Sequence, residues 1–286
     1  MIDKMLFSSC RVRKEMNPAD RVEKIQLLNV SGDFKGGIVI EMKENMDSQL
    51  FASVLRASVT QWKEQGKVSV WLKLPIELVS LVEAAVKEGF RYHHAEPSYL
   101  MLVQWIGETA DILPINASHR VGIGALVLNQ RGEVLVVQER RGTFKGTGVW
   151  KIPTGVVNEG EDICMAAIRE VKEETGIDTE FLEVLAFRQS HQSFFTKSDL
   201  FFVCMMRPLS LHIQKEDSEI EAAKWMPMEE YAALPFNQKH EQFRLVAHIC
   251  LEKSKDNYTG FSAVRATGAF SAKRSFLYFN CKDLKQ

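Results

Sequence analysis

The apolar residues change period several times along the chain, and each change marks an element. Gly36-Gly-Ile-Val-Ile-Glu-Met42 is a β-branched run opened by glycine, which predicts a strand. Leu50, Phe51, Val54, Leu55, Val59 and Trp62 then recur at helical spacing, with Asp47 placed to cap the helix and Gly66 to end it. Val68-Ser-Val-Trp-Leu-Lys73 predicts a second strand. A helix carrying Leu78, Leu81, Val82, Ala85 and Val86 follows and stops at Gly89. Phe90-Arg-Tyr92 and Tyr99-Leu-Met-Leu-Val-Gln-Trp105 complete a βαβαββ pattern. That pattern predicts a small α/β domain over residues 35–107. Residues 1–34 have no clear period and read as a flexible lead-in.

Gly107 to Asn116, with Pro114, reads as a linker. Beyond it, Val121–Leu128 and Glu133–Gln138 are apolar runs separated by Asn129-Gln-Arg-Gly132, which predicts a hairpin. A Gly-rich loop, Gly142 to Gly148, leads into Trp150-Lys-Ile152. A helix over 162–175 follows, then strands near Phe181–Arg188 and Leu200–Met206. Lys224-Trp-Met226 is a short strand, and a last helix runs from about Asn237 to Lys253. The second domain is therefore expected over 118–253. Residues 254–286 are weakly patterned and read as a tail.

Composition narrows the class. The 286 residues are 45% hydrophobic and 26% charged, the balance of a globular protein, and the length suits two cores. The net charge of −1 gives no overall field to hold a long nucleic acid or an anionic membrane. No apolar run has the length of a membrane span, and no hydrophobic signal-peptide core opens the chain. Cys10, Cys164, Cys204, Cys250 and Cys281 are odd in number and scattered, with no CxxC pair. They argue against a disulfide framework or a thiolate zinc site and for a reducing compartment. The basic segment Ser8–Lys14 is diluted by Asp3 and Glu15 as an organelle-targeting signal, so the cytosol is expected.

The chemistry gathers on the helix over 162–175. Glu170, Glu173 and Glu174 stand at i, i+3 and i+4 and share one face. Like charges at that spacing destabilise a helix by roughly 0.2–0.5 kcal/mol per pair, so a compensating cation is expected. Hard oxygen ligands select Mg²⁺ or a similar ion, which takes phosphate oxygens as remaining ligands. Ile168, Val171 and Thr175 lie on another face, free to pack on a sheet, and Gly176 can end the helix. Gly155 and Gly160 let the preceding loop turn tightly and bring amides toward phosphate. A surface helix of solvated glutamates is the plainer reading of a charge run alone. It leaves Gly155, Glu161, Arg169 and Gly176 unexplained at their fixed offsets.

Gly155-Val-Val-Asn-Glu-Gly-Glu161, seven residues, then Arg169-Glu-Val-Lys-Glu-Glu-Thr-Gly-Ile177 match G-x5-E-x7-R-E-U-x-E-E-x-G-U without departure, U being aliphatic. This is the Nudix box, and residues 118–235 resemble the Nudix hydrolase family. The resemblance implies a Nudix α/β/α sandwich, here preceded by a small acetyltransferase-like α/β domain. It implies that Glu170, Glu173 and Glu174 bind Mg²⁺ or Mn²⁺, that the Gly155 carbonyl can add a ligand, and that one glutamate can act as base. Glu161 and Arg169 would pin the loop to the helix, with Gly160 and Gly176 supporting the site. A further carboxylate arrives in this family from a loop outside the box. Of Glu216, Asp217, Glu219 and Glu221, Glu219 matches that position best, six residues before Trp225. Glu173 and Glu219 are thus the catalytic candidates.

Further segments carry a narrower resemblance, over about residues 35–280. They are His93-His-Ala-Glu-Pro-Ser-Tyr99, Leu113–His119, Leu135-Val-Val-Gln-Glu139, Trp150-Lys-Ile-Pro-Thr-Gly155, Phe187-Arg-Gln-Ser-His191 and Ala223-Lys-Trp-Met-Pro227. They look like the plant cytosolic Nudix hydrolases of ADP-ribose and NADH, related to the animal antisense basic fibroblast growth factor protein. That branch implies a small nucleoside-diphosphate substrate and a homodimer. Two positions depart from other ADP-ribose and NADH enzymes. Gln192 stands where bacterial-type ADP-ribose pyrophosphatases carry proline, and Ser190–Phe195 only distantly echoes the SQPWPFPxS segment of NADH pyrophosphatases. A hydrolase of another nucleotide sugar or coenzyme (FAD, coenzyme A, oxidised nucleotides), and a nucleotide-sensing interaction protein with incidental hydrolysis, are the alternatives. Messenger-RNA decapping is disfavoured without a basic face.

Arg188, His191 and Phe194 can contact phosphate or stack on a base, against ordinary packing at a strand end. Adjacent strand residues His93 and His94 should point opposite ways, and packing suits them better than metal. Trp62, Trp71 and Trp105 read as core. Lys145 and Lys151 flank the Gly-rich loop; solvation is the default for both, with an approach to phosphates as the other reading. The first domain lacks the Q/R-x-x-G-x-G/A segment that holds coenzyme A pyrophosphate. A non-catalytic role, dimerisation or protein contact, is expected for it.

Overall fold

A computed structural model describes residues 27–34, 36–268 and 271–282. The basic segment Ser8–Lys14 and Cys10 lie outside the described residues. The chain divides into two compact units, Met1–Asn116 and Ala117–Gln286.

The first unit contains β1 (Gly32–Phe34), β2 (Gly37–Glu41), α1 (Ser48–Glu64), β3 (Ser69–Pro75), α2 (Val82–Lys87), β4 (Arg91–Glu96) and β5 (Tyr99–Trp105). Among the described residues the sheet order is β1-β2-β3-β5-β4, with β2 and β3 parallel and α1 as their crossover. Helix α1 buries Phe51, Val54, Leu55, Ser58 and Trp62, the spacing of one helical face. That face packs with Ile40, Leu72 and Leu102 of the sheet. Asp47 caps it, accepting from the amides of Gln49 at 2.9 Å and Leu50 at 3.0 Å. Replacing Asp47 by alanine should cost about 1 kcal/mol, read as a lowered urea midpoint at unchanged slope.

Four sequence expectations change here. The end of the expected lead-in is ordered: Gly32–Phe34 pairs antiparallel with β2, and the Leu28 amide donates to Ser58 Oγ at 3.0 Å. The second helix is split, with a 3₁₀ turn over Ile76–Leu81 before α2, because Leu78 departs from helical backbone angles. His93 and His94 do not diverge. A register shift between Tyr92 and His94 breaks the alternation of β4 and leaves their Nδ1 atoms 2.7 Å apart. His93 Nε2 lies 2.9 Å from the Pro114 carbonyl, so that nitrogen must donate. Trp105 is half-buried, its indole donating to the Thr109 carbonyl at 2.7 Å, whereas Trp62 and Trp71 are core.

The second unit contains β6 (His119–Val127), β7 (Glu133–Glu139), β8 (Thr154–Val156), α3 (Ile163–Thr175), β9 (Thr179–Phe194), β10 (Lys197–Pro208) and β11 (Ile220–Pro227). After these come α4 (Met228–Ala233), α5 (Pro235–Lys239), α6 (Glu241–Ser254), β12 (Phe261–Gly268) and β13 (Ser271–Phe279). Among the described residues one sheet runs β13-β12-β9-β10-β6-β8, and β11 pairs with β7 in a second. Strand alternation sorts the core into two halves. Ile123, Ala125, Val127, Cys204 and Met206 face α3 through Ala166, Ala167 and Val171. Leu126, Leu185, Val203 and Met205 share the other half with Ala247 and Cys250 of α6. The sheet is therefore sandwiched between helices, as expected.

The expected β6–β7 hairpin keeps its turn but not its ladder. The Gly132 amide donates to the Asn129 carbonyl at 3.1 Å, and only the bridge Leu128↔Val134 joins the two runs. Val134 to Val137 are all fully buried, so β7 is covered on both faces and pairs with β11 instead. The last helix breaks at His240, whose extended backbone separates α5 from α6. The weakly patterned tail also forms structure. β12 and β13 make a hairpin that joins β9 through Phe261↔Val184 and Ser262↔Glu183. Buried Glu183 anchors it, pairing with Lys253 of α6 and accepting from the Gly260 amide at 2.7 Å.

Candidate active site

The site is built on the geometry of an edge strand. β8 is three residues long and pairs with β6 on one side only. Its other edge leaves backbone donors that must find acceptors. Helix α3 faces that edge, and the backbone of Thr154 and of Val156 favours the charged forms of Glu174 and Glu170 respectively. The Val156 carbonyl takes Arg169 Nη2 at 2.9 Å. Gly155 lies between, and a Cβ there would stand 1.8 Å from Glu170 Cδ. Only glycine admits that carboxylate.

Arg169 ties the loop to the helix. It grips Glu161 with Nε and Nη2, both at 2.8 Å, and reaches Glu170 Oε1 at 2.8 Å and Glu173 Oε2 at 2.9 Å through Nη1. Glu161 also accepts from the Asn158 amide at 2.9 Å, closing the turn at Gly160, whose φ of 74° requires glycine. These bonds hold the Glu161 carboxyl below its ordinary range. Gly176 ends α3 in the left-handed conformation, φ 72°.

The three box glutamates differ in environment. Glu173 is exposed, Glu170 is half-buried and Glu174 is buried. Burial raises the Glu170 carboxyl above its ordinary range and pushes Glu174 up to about 8. Glu174 Oε2 is buried with no hydrogen-bond partner. An orphaned carboxylate oxygen beside Glu170, on a face of hard oxygen donors, fits a divalent cation. Among the described residues no three His, Cys, Asp or Glu side chains converge as they stand into a closed cage, since Arg169 occupies oxygens of Glu170 and Glu173.

The alternation of β8 turns Thr154 and Val156 to the opposite side from Gly155, and there they line a cleft of about 1000 Å³. Lys151 and Glu139 stand in its wall. The Lys151 ammonium lies 2.5 Å from Glu139 Oε1 and 2.5 Å from Thr154 Oγ1, and its side chain is 9% exposed. Phe201 forms part of the floor. Gly122 and Gly124 make room for its ring, since a Cβ at Gly124 would lie 2.7 Å from Cζ. Phe144 and Phe243 stand across the cleft with ring centroids 6.3 Å apart, and Arg120 and Arg188 add cations to the lining.

A family model described as the NUDIX domain matches residues 118–248, and one described as the Nudix hydrolase domain matches residues 28–106. Nudix hydrolase 2 of Arabidopsis thaliana is 55% identical over 268 residues, 94% of this chain and 96% of the relative. The chain belongs to the Nudix hydrolase family. It is accordingly an enzyme of pyrophosphate bonds, in a family that generally uses divalent cations such as Mg²⁺. Nudix hydrolase 10 of the same plant is 56% identical over 90% of this chain and 91% of the relative. Human Nucleoside diphosphate-linked moiety X motif 6 is 37% identical over 69% of this chain and 64% of the relative. A solved NUDIX hydrolase from Nitrosomonas europaea is 17% identical, with a TM-score of 0.42 over 59% of this chain and 90% of that one.

Within this Nudix site the sequence-predicted residues separate into two groups. Gly155, Glu161, Arg169, Glu170, Glu173 and Glu174 come together at β8 and the start of its loop. Arg188 lines the cleft. His191 and Phe194 lie farther along the β9–β10 hairpin, with His191 Nδ1 2.8 Å from Ser198 Oγ and Phe194 under Arg120 at 4.3 Å. Glu219 is exposed at the foot of β11, where its carbonyl accepts from the Arg140 amide at 2.7 Å. The Gly155 carbonyl lies toward Gly122 of β6. Sequence reasoning missed Glu139 and expected Lys151 to be solvated. The signal for both was the bridge between Val137 and Lys151, a tertiary pairing invisible in local pattern.

Proposed function

We propose that this Nudix hydrolase cuts the diphosphate bridge of ADP-ribose and of NADH, giving AMP with ribose 5-phosphate or with NMNH. The cleft supports the reading, because aromatic rings and cations lie along one surface that begins at β8 and can seat both ends of a dinucleotide-sized substrate. The human relative's name, a nucleoside diphosphate-linked moiety, points to the same substrate class. The segment resemblance supplies the choice within it.

The observation that carries the reaction is the Glu170 carboxylate seated over Gly155 beside the unpartnered Glu174 oxygen. Glu170, Glu173 and Glu174 would hold the divalent cation, which when bound neutralises the diphosphate and acidifies the attacking water. The Arg169 fork orients Glu170 before substrate arrives. Glu173, the most exposed of the three, is placed to accept the water's proton. Glu139 supplies the carboxylate from outside the box in place of Glu219, and Lys151 holds it at the cleft wall. The first unit serves dimerisation or protein contact, and the enzyme works in the cytosol as a homodimer. No helix of the described residues is long and apolar enough to cross a membrane.

A turnover panel with Mg²⁺ or Mn²⁺ over ADP-ribose, NADH, NAD⁺, FAD, coenzyme A and 8-oxo-dGTP tests this. ADP-ribose and NADH should give the highest kcat/KM, with AMP as common product and activity abolished by EDTA. Inactivity on both with turnover of another member overturns the substrate. Inactivity on all overturns the site.

A further inference from the structure

Arg188 in the cleft wall is held from two directions. Its Nη2 lies 3.2 Å from Asp199 Oδ2, and its Nη1 donates to Gln242 Oε1 at 3.1 Å. The guanidinium also sits 5.3 Å from the centroid of the Phe201 ring. A guanidinium has donors and no acceptor, so it fixes which end of the Gln242 amide faces it. The oxygen must turn to Arg188, and the NH₂ group becomes the outward end. Arg188 Nε is itself buried without a partner. Beside an aromatic floor, then, the Gln242 NH₂ is the outward donor of this wall.

We infer that this corner reads the nucleobase of the substrate: the ring lies against the phenylalanines, and the Gln242 amide, oriented by Arg188, donates to a ring nitrogen. The inference rests on the nucleoside-diphosphate reading above and deepens it, naming Gln242 as a specificity-determining residue and Arg188 as its positioning residue. Gln242 lies in the first turn of α6, outside the Nudix box, so its part is separate from the hydrolytic carboxylates. Donors over a flat apolar floor suit a purine edge with lone pairs. A ribose 5-phosphate has no ring nitrogen to offer.

The test is Gln242→Glu, which keeps an oxygen for Arg188 and replaces the outward donor by an acceptor. AMP and ribose 5-phosphate are the probes, each titrated calorimetrically into wild type and variant. AMP should bind the wild type and weaken about tenfold in the variant, the worth of one hydrogen bond, while ribose 5-phosphate should be unchanged. KM for ADP-ribose should rise by a similar factor with a much smaller change in kcat. Unchanged AMP affinity, failure of AMP to bind the wild type, or equal weakening of both probes overturns the inference. Because the titrations need no turnover, loss of AMP binding in a protein inactive on ADP-ribose would sink the substrate reading and leave this one standing. Turnover of ADP-ribose with an unaltered KM in the variant does the reverse.

Discussion

Glu174→Gln should lose turnover by about two orders of magnitude or more, and its metal-free form should be more stable than wild type above pH 8. Both effects have one cause. The Glu174 carboxyl is buried, has an oxygen without a partner, and is pushed up to about 8 from an ordinary value of 4.5. Between those two values the folded protein keeps a proton that the unfolded chain has released. Its stabilising contribution is therefore complete below pH 4.5 and lost as pH rises through 8. Glutamine keeps the shape and carries no charge to desolvate. The stability gap between variant and wild type should open across this window and approach roughly 5 kcal/mol at pH 9, read from urea unfolding in EDTA. Adding Mg²⁺ at pH 8 should raise the melting temperature of wild type more than that of the variant, because ligand binding stabilises the state that binds. Turnover within a few-fold of wild type would remove Glu174 from the site. A gap independent of pH would contradict desolvation of the charged carboxylate as the common cause.

What the sequence could show depended on how local the determining contacts are. The box was legible because one helix carries Arg169, Glu170, Glu173 and Glu174, and its periodicity fixes their shared side. The unequal burial of the three glutamates was not, because it comes from β8, a three-residue strand with too little pattern to announce itself. Lys151 and Glu139 were hidden for a related reason. A lysine after tryptophan reads as solvated until the bridge to Val137 closes over it. The β12–β13 hairpin has Ser, Ala, Arg and Thr among its apolar residues, and two residue pairs attach it to β9. His93 and His94 misled because the period of two fails at a bulge. In each case a long-range pairing decided the outcome.

Gly155→Ala is the sharpest test of how β8 and α3 form one device. The added methyl would fall 1.8 Å from Glu170 Cδ and 2.1 Å and 2.3 Å from its oxygens, distances no packing tolerates. The backbone itself can accept alanine, since Gly155 is not among the positive-φ glycines. The three atoms nearest the added methyl all belong to that carboxylate. The carboxylate is the far end of a flexible side chain, so it can swing aside, giving up Arg169 Nη1. Stability should fall by about 1–3 kcal/mol, as for other overpacked sites, and the fold should survive by circular dichroism. Turnover should fall about a hundredfold, because the carboxylate leaves the position in which it works. The decisive measurement is a double-mutant cycle with Glu170→Gln. If the methyl acts only by displacing that carboxylate, Gly155→Ala in the Glu170→Gln background should cost little further kcat/KM, far from the product of the single losses. Multiplying losses would mean that Gly155 serves the reaction directly, through its own backbone, and not as the space that Glu170 occupies.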